Sequence, residues 1–192
     1  MAAVPSTMLE LGTPAPPFAL PDTAGRTVSL DDFRDAPALL VVFLSNHCPF
    51  VKHVREGLAA VANDYGTRGV GIVGIMSNDV ERYPADGPAE MRRTREAWGW
   101  SFPYLHDASQ EVARAYRAAC TPDFFLFGPD GRLAYRGQFD GSRPGNGVPV
   151  TGEDLRRALD AVLEGSAVVP EQRPSIGCSI KWKPGNEPEY SG

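Results

Sequence analysis

The sequence predicts an α/β fold in which helices flank a central mixed β-sheet. Two observations lead to this prediction. Short, wholly apolar runs alternate along the chain with segments of helical spacing, and the alternation ends in a tight turn, a strand of alternating pattern and one more helix. The order of elements is β-α-β-α-β-α-β-β-α. The helical connections predict parallel strands, and the closing hairpin adds an antiparallel one.

The first elements lie between the N-terminus and a buried strand. Gly12–Pro21 is rich in proline and is predicted to be extended. Thr27–Ser29 follows as a short strand, and Ser29 with Asp32 three residues later has the pattern of a capping box that begins a helical turn. Ala38–Leu44 is a continuous apolar run of strand length, which is typical of a strand buried on both faces.

The first long helix is predicted over Pro49–Tyr65, and a second buried strand over Val70–Met76. The apolar residues of the helix recur at spacings of three and four, at Val51, Val54, Leu58, Val61 and Tyr65. Pro49 suits the first helical position, where its missing N–H costs nothing. The right-handed crossover rule places Val70–Met76 beside Ala38–Leu44 and parallel to it.

The second half of the chain contains shorter elements. They are a helix over Glu90–Trp98, a strand over Phe102–Leu105, a helix over Gln110–Arg117, a strand over Asp123–Phe127, a turn at Gly128–Gly131 and a strand over Leu133–Phe139. Thr151 and Asp154 predict a capping box for the last helix, whose inner face would be Leu155, Leu159 and Val162. We therefore predict one domain over residues 1–165, with an N-terminal extension, and a tail over 166–192 that packs on it.

Composition narrows the class of protein. A chain of 192 residues with 42% hydrophobic and 22% charged residues is ordinary for one globular domain. The net charge of −5 and the scattered basic residues argue against nucleic acid as a partner. There is no apolar run long enough to span a membrane, and the N-terminus does not resemble a secretory signal. We therefore expect a cytoplasmic protein without a membrane partner, in a compartment that keeps thiols reduced.

The chain has three cysteines, Cys48, Cys120 and Cys178, separated by 72 and 58 residues. This spacing matches no compact zinc site, and the three histidines are dispersed. An iron–sulfur cluster normally requires four thiolates. The sequence therefore predicts neither a metal nor another cofactor.

Cys48 lies between the end of an apolar strand and Pro49 at the start of a helix. Unpaired N–H groups and the helix dipole stabilise a thiolate at this position, and they typically lower the pKa of a cysteine from about 8.5 into the range of roughly 3.5 to 7.5. His47 and Lys52 would act in the same direction if either side chain turned inward. The opposing interpretation is a buried, unreactive thiol.

Two segments carry a resemblance to a known family. Asn46–His53 (NHCPFVKH) and Gly177–Lys183 (GCSIKWK), together with Thr121–Pro122 before a strand, resemble the thioredoxin-fold superfamily. Within it, the chain is most similar to the peroxiredoxin-like or thiol-disulfide oxidoreductase-like branch. The resemblance covers the chain from about Leu11 to Tyr190 and implies a thioredoxin-like fold.

The resemblance also implies roles for individual residues. Cys48 corresponds to the first cysteine of the Cys-x-x-Cys motif, and is therefore the expected nucleophile. Thr121–Pro122 corresponds to the cis-proline loop, which lies against the active thiol and offers backbone groups to a substrate chain. Pro49, Thr121 and Pro122 are accordingly the expected substrate contacts.

The chain departs from both family patterns. Val51 replaces the second cysteine of Cys-x-x-Cys, so disulfide exchange within that motif is impossible. Ser45 fills the hydroxyl position of the peroxiredoxin pattern, but Val41 stands where that pattern has proline. The arginine that steadies the peroxide is not evident around Pro122 to Phe125.

Two cysteines are candidates to resolve an oxidised Cys48. Cys120 is the leading candidate because it lies two residues before Pro122, in the loop that faces the active helix in this fold. Bridging it to Cys48 requires Cα atoms closer than about 7 Å. Cys178 is the second candidate, if its tail folds back over the site. The tail could instead be a structural strap or a partner contact that leaves Cys178 facing solvent.

The sequence therefore predicts a thiol-disulfide oxidoreductase-like enzyme. The Cys48 thiolate attacks a disulfide-containing protein or a peroxide, Cys120 or Cys178 resolves the product, and an external dithiol reductant restores the protein. Two alternatives remain open at this point. One is a weak thiol peroxidase, and the other is a non-catalytic thioredoxin-fold module that binds a partner through the cis-proline groove and the tail.

Overall fold

A computed structural model describes residues 3–191 of the chain. Within this range the strands are β1 (Ala3–Pro5), β2 (Ala19–Pro21), β3 (Thr27–Ser29), β4 (Leu39–Phe43), β5 (Gly71–Met76), β6 (Tyr104–His106), β7 (Cys120–Thr121), β8 (Asp123–Phe127), β9 (Leu133–Gly137) and β10 (Ile176–Ser179). The α-helices are α1 (Pro49–Gly66), α2 (Pro88–Ala97), α3 (Glu111–Ala115) and α4 (Glu153–Leu163). Short 3₁₀ turns cover Leu30–Phe33 and Pro84–Asp86.

The central sheet has five strands in the order β6-β5-β4-β8-β9. β4 lies in the middle, parallel to β5 and antiparallel to β8, and all five of its residues are buried. β6 extends the parallel side, and β9 completes the hairpin with β8. The predicted α/β class, the mixed sheet and the parallel pairing of its first two long strands are confirmed.

The two faces of this sheet support two separate cores. Leu40 and Val42 of β4 face α1 and α4, whereas Val41 and Phe43 face α3 and the N-terminal extension. This division follows from the alternation of side chains along a strand. Cys48 and Cys178 belong to the same core as α1, so residues 130 positions apart in the sequence pack in one cluster.

The local predictions hold in part. The Ser29 capping box is present, with the Ser29 N–H donating to Asp32 Oδ2 over 2.7 Å. The capping box at Thr151 is wrong, because the N-cap of α4 is Gly152 in a left-handed conformation. The side chain of Asp140, which is remote in sequence, caps the helix instead. Its Oδ2 accepts hydrogen bonds from the Thr151 and Gly152 N–H groups, both over 2.7 Å.

The tail forms a strand that sequence reasoning did not predict. β10 lies between β1 and β7 and is antiparallel to both, giving a second, three-stranded sheet. Cys178 stands opposite Thr121, and Ile180 N–H donates to the Ala119 carbonyl over 3.0 Å. Trp182 is also buried. The tail beyond α4 is therefore tied by backbone hydrogen bonds to the segment that precedes Pro122.

In the part of the chain that the structure describes, no helix combines the length and the apolar character that crossing a bilayer requires.

Candidate active site at Cys48

Cys48 is the N-cap of α1, at the carboxyl end of the central strand β4. Its backbone is extended (φ −67°, ψ 122°), and its carbonyl accepts the first helical hydrogen bond from Lys52 N–H over 3.0 Å. Pro49 occupies the first helical position and is exposed, while the Cys48 side chain is fully buried. The thiol therefore sits where the strand-helix junction was expected to hold it, beneath the surface.

The Cys48 thiol contacts two groups from outside its own segment. Its Sγ lies 3.1 Å from the Thr121 carbonyl oxygen, and the Cys178 side chain lies in the same buried cluster, where its thiol acts on Cys48 as a donor that lowers the pKa. The first contact suits a protonated Cys48, because a thiol can donate to a carbonyl. The second suits a thiolate, because it brings a donor to the sulfur.

The hydrogen bond from Cys178 lowers the pKa of Cys48 to about 5, against the opposing effect of burial. The Thr121 side chain and the Val51 backbone N–H act in the same direction as Cys178. The pKa of Cys178 is raised above its ordinary value, because its proton is held by Cys48 and because the group is buried. Of this thiol pair, Cys48 therefore ionises first.

Cys120 is buried in a different environment. Its Sγ lies 3.6 Å from the Pro122 carbonyl and 3.9 Å from the Ser175 carbonyl. Successive side chains of a strand point to opposite faces, and Cys178 stands opposite Thr121, the neighbour of Cys120. Burial and the Asp123 carboxylate raise the pKa of Cys120 well above its ordinary value.

The three cysteines are free and buried, and the idea that Cys178 faces solvent is wrong. Only 4% of Cys178 is exposed, because β1 and β7 flank its strand and Cys48 lies against its thiol. The sequence could not anticipate this position. The antiparallel pairing of β10 with β7 depends on a contact between segments more than fifty residues apart.

The peptide bond between Thr121 and Pro122 is cis, as the resemblance implied. Both carbonyls of this loop are engaged within the chain. The Thr121 oxygen faces Cys48, and the Pro122 oxygen accepts from Ser175 Oγ over 2.6 Å. Thr121, Pro122 and Cys48 therefore come together as expected, and the tail lies over them.

A buried carboxylate that sequence reasoning missed organises the loop before Cys48. Asp86 Oδ1 accepts from Asn46 N–H over 2.7 Å, and its Oδ2 lies 2.9 Å from His47 Nδ1 and 2.6 Å from Asn78 Nδ2. The Ser45 hydroxyl adds further contacts at 3.1 and 3.2 Å. Burial raises the pKa of Asp86, but these donors outweigh it, so that the net pKa is lowered.

The Asp86 network explains the orientation of His47. Its ring faces Asp86 and stacks on Tyr83 at a centroid distance of 5.6 Å. Lys52 is exposed. Neither side chain turns toward Cys48, so neither residue meets the condition under which it would help to ionise that thiol. Asp86 gave no signal in the sequence, since it lies in a Pro/Gly loop that also suits a surface acid.

The described residues, 3–191, contain no group of three or more His, Cys, Asp or Glu side chains arranged to hold a metal ion.

Residues 11–136 match the family model described as the AhpC/TSA family. The chain belongs to the AhpC/TSA family. Its fold is that of the thioredoxin superfamily. A solved thiol:disulfide interchange protein from Chlorobium tepidum, described in its own name as a DsbE candidate, shares the architecture with a TM-score of 0.64 at 22% identity, over 81% of this chain and 99% of that chain.

Other proteins are more similar in sequence, and they align with different fractions of this chain. A solved structure from Geobacillus kaustophilus, described as an uncharacterized conserved protein, has 56% identity and a TM-score of 0.94 over 96% of this chain and 98% of that one. The candidate peroxiredoxin Rv2521 of Mycobacterium tuberculosis is 31% identical over 59% of this chain and 67% of its own. Thiol-disulfide oxidoreductase ResA of Bacillus subtilis is 25% identical, covering 64% of each.

Proposed function

We propose that this AhpC/TSA-family protein is a thiol-dependent oxidoreductase whose redox centre is the pair Cys48 and Cys178. The observation that carries the proposal is the position of Cys178: it lies in the buried cluster around Cys48 at the N-terminus of α1, and it stands opposite Thr121, whose carbonyl contacts the Cys48 thiol. It gives the nucleophile a stabilised thiolate and gives the resolving thiol a place in contact with it. The compartment we propose is the cytoplasm, where a reductant keeps both thiols reduced.

The reaction proceeds in two steps. The Cys48 thiolate attacks a peroxide oxygen, so that an S–O bond forms, the O–O bond breaks and an alcohol or water leaves after taking a proton. The Cys178 sulfur then attacks the sulfenic acid of Cys48, an S–S bond forms, and the hydroxyl leaves as water with the Cys178 proton. An external dithiol reduces the Cys48–Cys178 disulfide with two electrons and becomes a disulfide itself.

A disulfide substrate uses the same two cysteines. The Cys48 thiolate forms a mixed disulfide and releases one substrate thiolate, and Cys178 then displaces the second. Rv2521 is named as a candidate peroxiredoxin and ResA as a thiol-disulfide oxidoreductase, so the relatives support both substrate classes. The non-catalytic binding module remains the competing function, and full burial of Cys48 is the observation that favours it.

Cys120 is the weaker candidate for the resolving role. Its neighbour Thr121, not Cys120 itself, stands opposite Cys178, and its own thiol contacts the Pro122 and Ser175 carbonyls. These features support Cys178 over the cysteine that the sequence favoured.

Peptide mapping without reductant, after brief treatment with one equivalent of hydrogen peroxide, tests the proposal. We expect a Cys48–Cys178 linked peptide in the unmodified chain and in Cys120→Ser. In Cys178→Ser, Cys48 should instead stop at sulfenic acid, which dimedone traps, and should advance to sulfinic acid when a second equivalent of peroxide is added. A Cys48–Cys120 link would transfer the resolving role to Cys120, and an untouched Cys48 would leave the binding module as the function.

The ionisation of Cys48 supplies an independent prediction. The thiolate fraction rises as pH passes the pKa, so the rate of iodoacetamide alkylation at Cys48 should have a midpoint below pH 7. Cys178→Ala removes the largest cause of the lowered pKa, and should raise the midpoint by at least about one unit. Cys120→Ala is the matched control and should leave it in place. An unchanged midpoint in Cys178→Ala would contradict the pairing.

A further inference from the structure

The strand position beside the cis-proline is already filled by the chain itself. Thioredoxin-fold proteins offer the backbone of this loop to an extended substrate, as the resemblance implied, and here β10 takes that place with Cys178 opposite Thr121. We propose that β10 is a built-in strand in the place of a substrate peptide, and this proposal rests on the function proposed above. In this position β10 excludes protein disulfides from Cys48. It leaves access only to small oxidants, which are hydroperoxides and low-molecular-weight disulfides.

The hydrogen-bonding groups that a substrate peptide would need are occupied. β7 pairs with β10, and the other edge of β10 pairs with β1. The Pro122 carbonyl accepts from Ser175 Oγ, and the Ala119 carbonyl accepts from Ile180 N–H. An incoming peptide would therefore have to displace β10 to use the edge of β7 that β10 occupies among residues 3–191.

The tail is also anchored beyond β10. Lys181 N–H donates to Asn78 Oδ1 over 2.8 Å, and its carbonyl accepts from Asp79 N–H over 2.8 Å. Ile180 and Trp182 are buried in the core on the far face of the central sheet. Removing β10 from the site would expose these side chains, so the docked arrangement is favoured by apolar burial as well as by hydrogen bonds.

The structure leaves little space near the site. The cavity bounded by Phe50, Pro122, Arg143 and Ile176 has a volume of about 10 Å³, which is about the room that one water needs. Cys48 does not line this cavity, so in our proposal a hydroperoxide reaches the thiol through a slight local opening. A disulfide on the surface of a folded protein would require the whole strand to leave.

Gly177 is the residue that allows β10 to close so tightly. A Cβ at this position would lie 2.0 Å from the Thr121 carbonyl oxygen and 2.6 Å from its carbon. These atoms belong to the backbone and cannot turn aside. Any side chain at position 177 must therefore push β10 away from β7. This makes Gly177 a specificity-determining residue in our proposal, although it carries no reactive group.

Gly177→Ala tests the proposal by loosening β10 without removing a thiol. The rates of Cys48 modification by iodoacetamide and by a long polyethylene-glycol maleimide are compared by peptide mapping. We expect the unmodified protein to react with the small reagent and to resist the long one. Gly177→Ala should raise the rate with the long reagent by roughly tenfold or more, and change the small-reagent rate far less. Gly66→Ala is the matched control, since a Cβ there meets no atom within 4 Å.

Ser175→Ala provides a second variant in case Gly177→Ala does not fold. It removes only the hydrogen bond to the Pro122 carbonyl, and should shift the ratio of the two rates in the same direction by a smaller factor. Equal rates with both reagents in the unmodified protein would overturn the proposal. So would an unchanged ratio in Gly177→Ala when hydrogen exchange shows that the Ile180 amide has lost its protection.

These outcomes are separate from the redox function. Alkylation requires a thiolate and access, but no oxidation. If peroxide produces no Cys48–Cys178 disulfide while the size discrimination persists, the proposed function fails and the role of β10 as a barrier stands. If the disulfide forms but both reagents react equally, the function stands and the restriction to small oxidants fails.

Discussion

Two fully buried carboxylates lie beside the thiols and behave in opposite ways. Asp86 supports the loop that precedes Cys48, and Asp123 directly follows the cis-proline; neither has exposed surface. The pKa of Asp86 is lowered, whereas burial raises the pKa of Asp123 to about 7. Equal burial has therefore produced an anion in one place and a group that titrates near neutrality in the other.

The hydrogen-bond donors account for the difference. Asp86 receives donors on both oxygens, from Ser45, the Asn46 backbone, His47 and Asn78. Asp123 Oδ2 accepts from Ala119 N–H over 3.2 Å, but its Oδ1 has no partner among residues 3–191. A buried carboxylate stays ionised only where donors replace the lost water. The distribution of donors over the two carboxylate oxygens, and not depth, separates the two sites.

This difference also separates the environments of the cysteines. Asp86 fixes the backbone and side chains just before Cys48, at the start of α1. Asp123 lies close enough to Cys120 for its charge to raise the pKa of that thiol. The same type of residue therefore organises the segment that carries the proposed nucleophile and suppresses ionisation of the other thiol near the cis-proline.

Asp86→Asn should have the largest effect on stability, because it disrupts the carboxylate that accepts hydrogen bonds on both oxygens. An amide nitrogen in place of Oδ2 would face the donors of His47 and Asn78, so buried donors would lose their acceptor. We expect a loss of roughly 3 kcal/mol in the free energy of unfolding, measured by urea denaturation. The alkylation rate of Cys48 should fall as well, because Ser45 to His47 lose their anchor.

Asp140→Asn is the control for Asp86→Asn. Asp140 is also a buried carboxylate with backbone donors, but it caps α4 and has no hydrogen bond to the loop before Cys48. It should lower stability while leaving the Cys48 alkylation rate unchanged. If both variants changed that rate equally, Asp86 would be a general stabilising residue and not a positioning one.

Asp123→Asn tests the carboxylate whose pKa is raised, through the pH dependence of stability. The folded pKa of about 7 lies above the ordinary 3.8, so the unfolded chain releases this proton first as pH rises. Stability contributed by the neutral acid is present at about pH 4 and is lost as pH rises to about 7, by up to roughly 4 kcal/mol. Asn mimics the neutral acid, so the variant should lack this decline.

Urea denaturation of both proteins between pH 4 and pH 8 measures the difference. Asp86 contributes in the opposite sense, since its lowered pKa gives stability that is lost only as pH falls below the ordinary value. The two slopes therefore occupy different pH ranges, and only that of Asp123 falls between pH 4 and pH 8. Parallel curves for the unmodified chain and Asp123→Asn above pH 4 would contradict the raised pKa of Asp123.

The two carboxylates also show which features of the site could not be predicted from the sequence. Apolar runs and helical spacing predicted the central sheet and α1, because those patterns are local and periodic. The position of Cys48 at a helix start followed from Pro49 alone. Asp86, Asp123 and β10 acquire their roles from contacts across tens of residues, and nothing in their local patterns distinguishes them from surface acids or a polar tail.

Ser6→Ala should have the smallest effect and sharpens the comparison most finely. The Ser6 side chain donates to Asp123 and lowers its pKa, against the larger effect of burial. Without that donor, the pKa of Asp123 should rise further, by about one unit for a hydrogen bond to a charged group. The pH-dependent decline in stability should therefore extend to higher pH, and the carboxyl ¹³C shift of Asp123 should titrate at a higher pH.

Thr7→Ala is the matched control, because the Thr7 hydroxyl donates to the Arg117 carbonyl. If Ser6→Ala and Thr7→Ala titrated alike, hydrogen-bond donors would not explain why the pKa of Asp123 differs from that of Asp86.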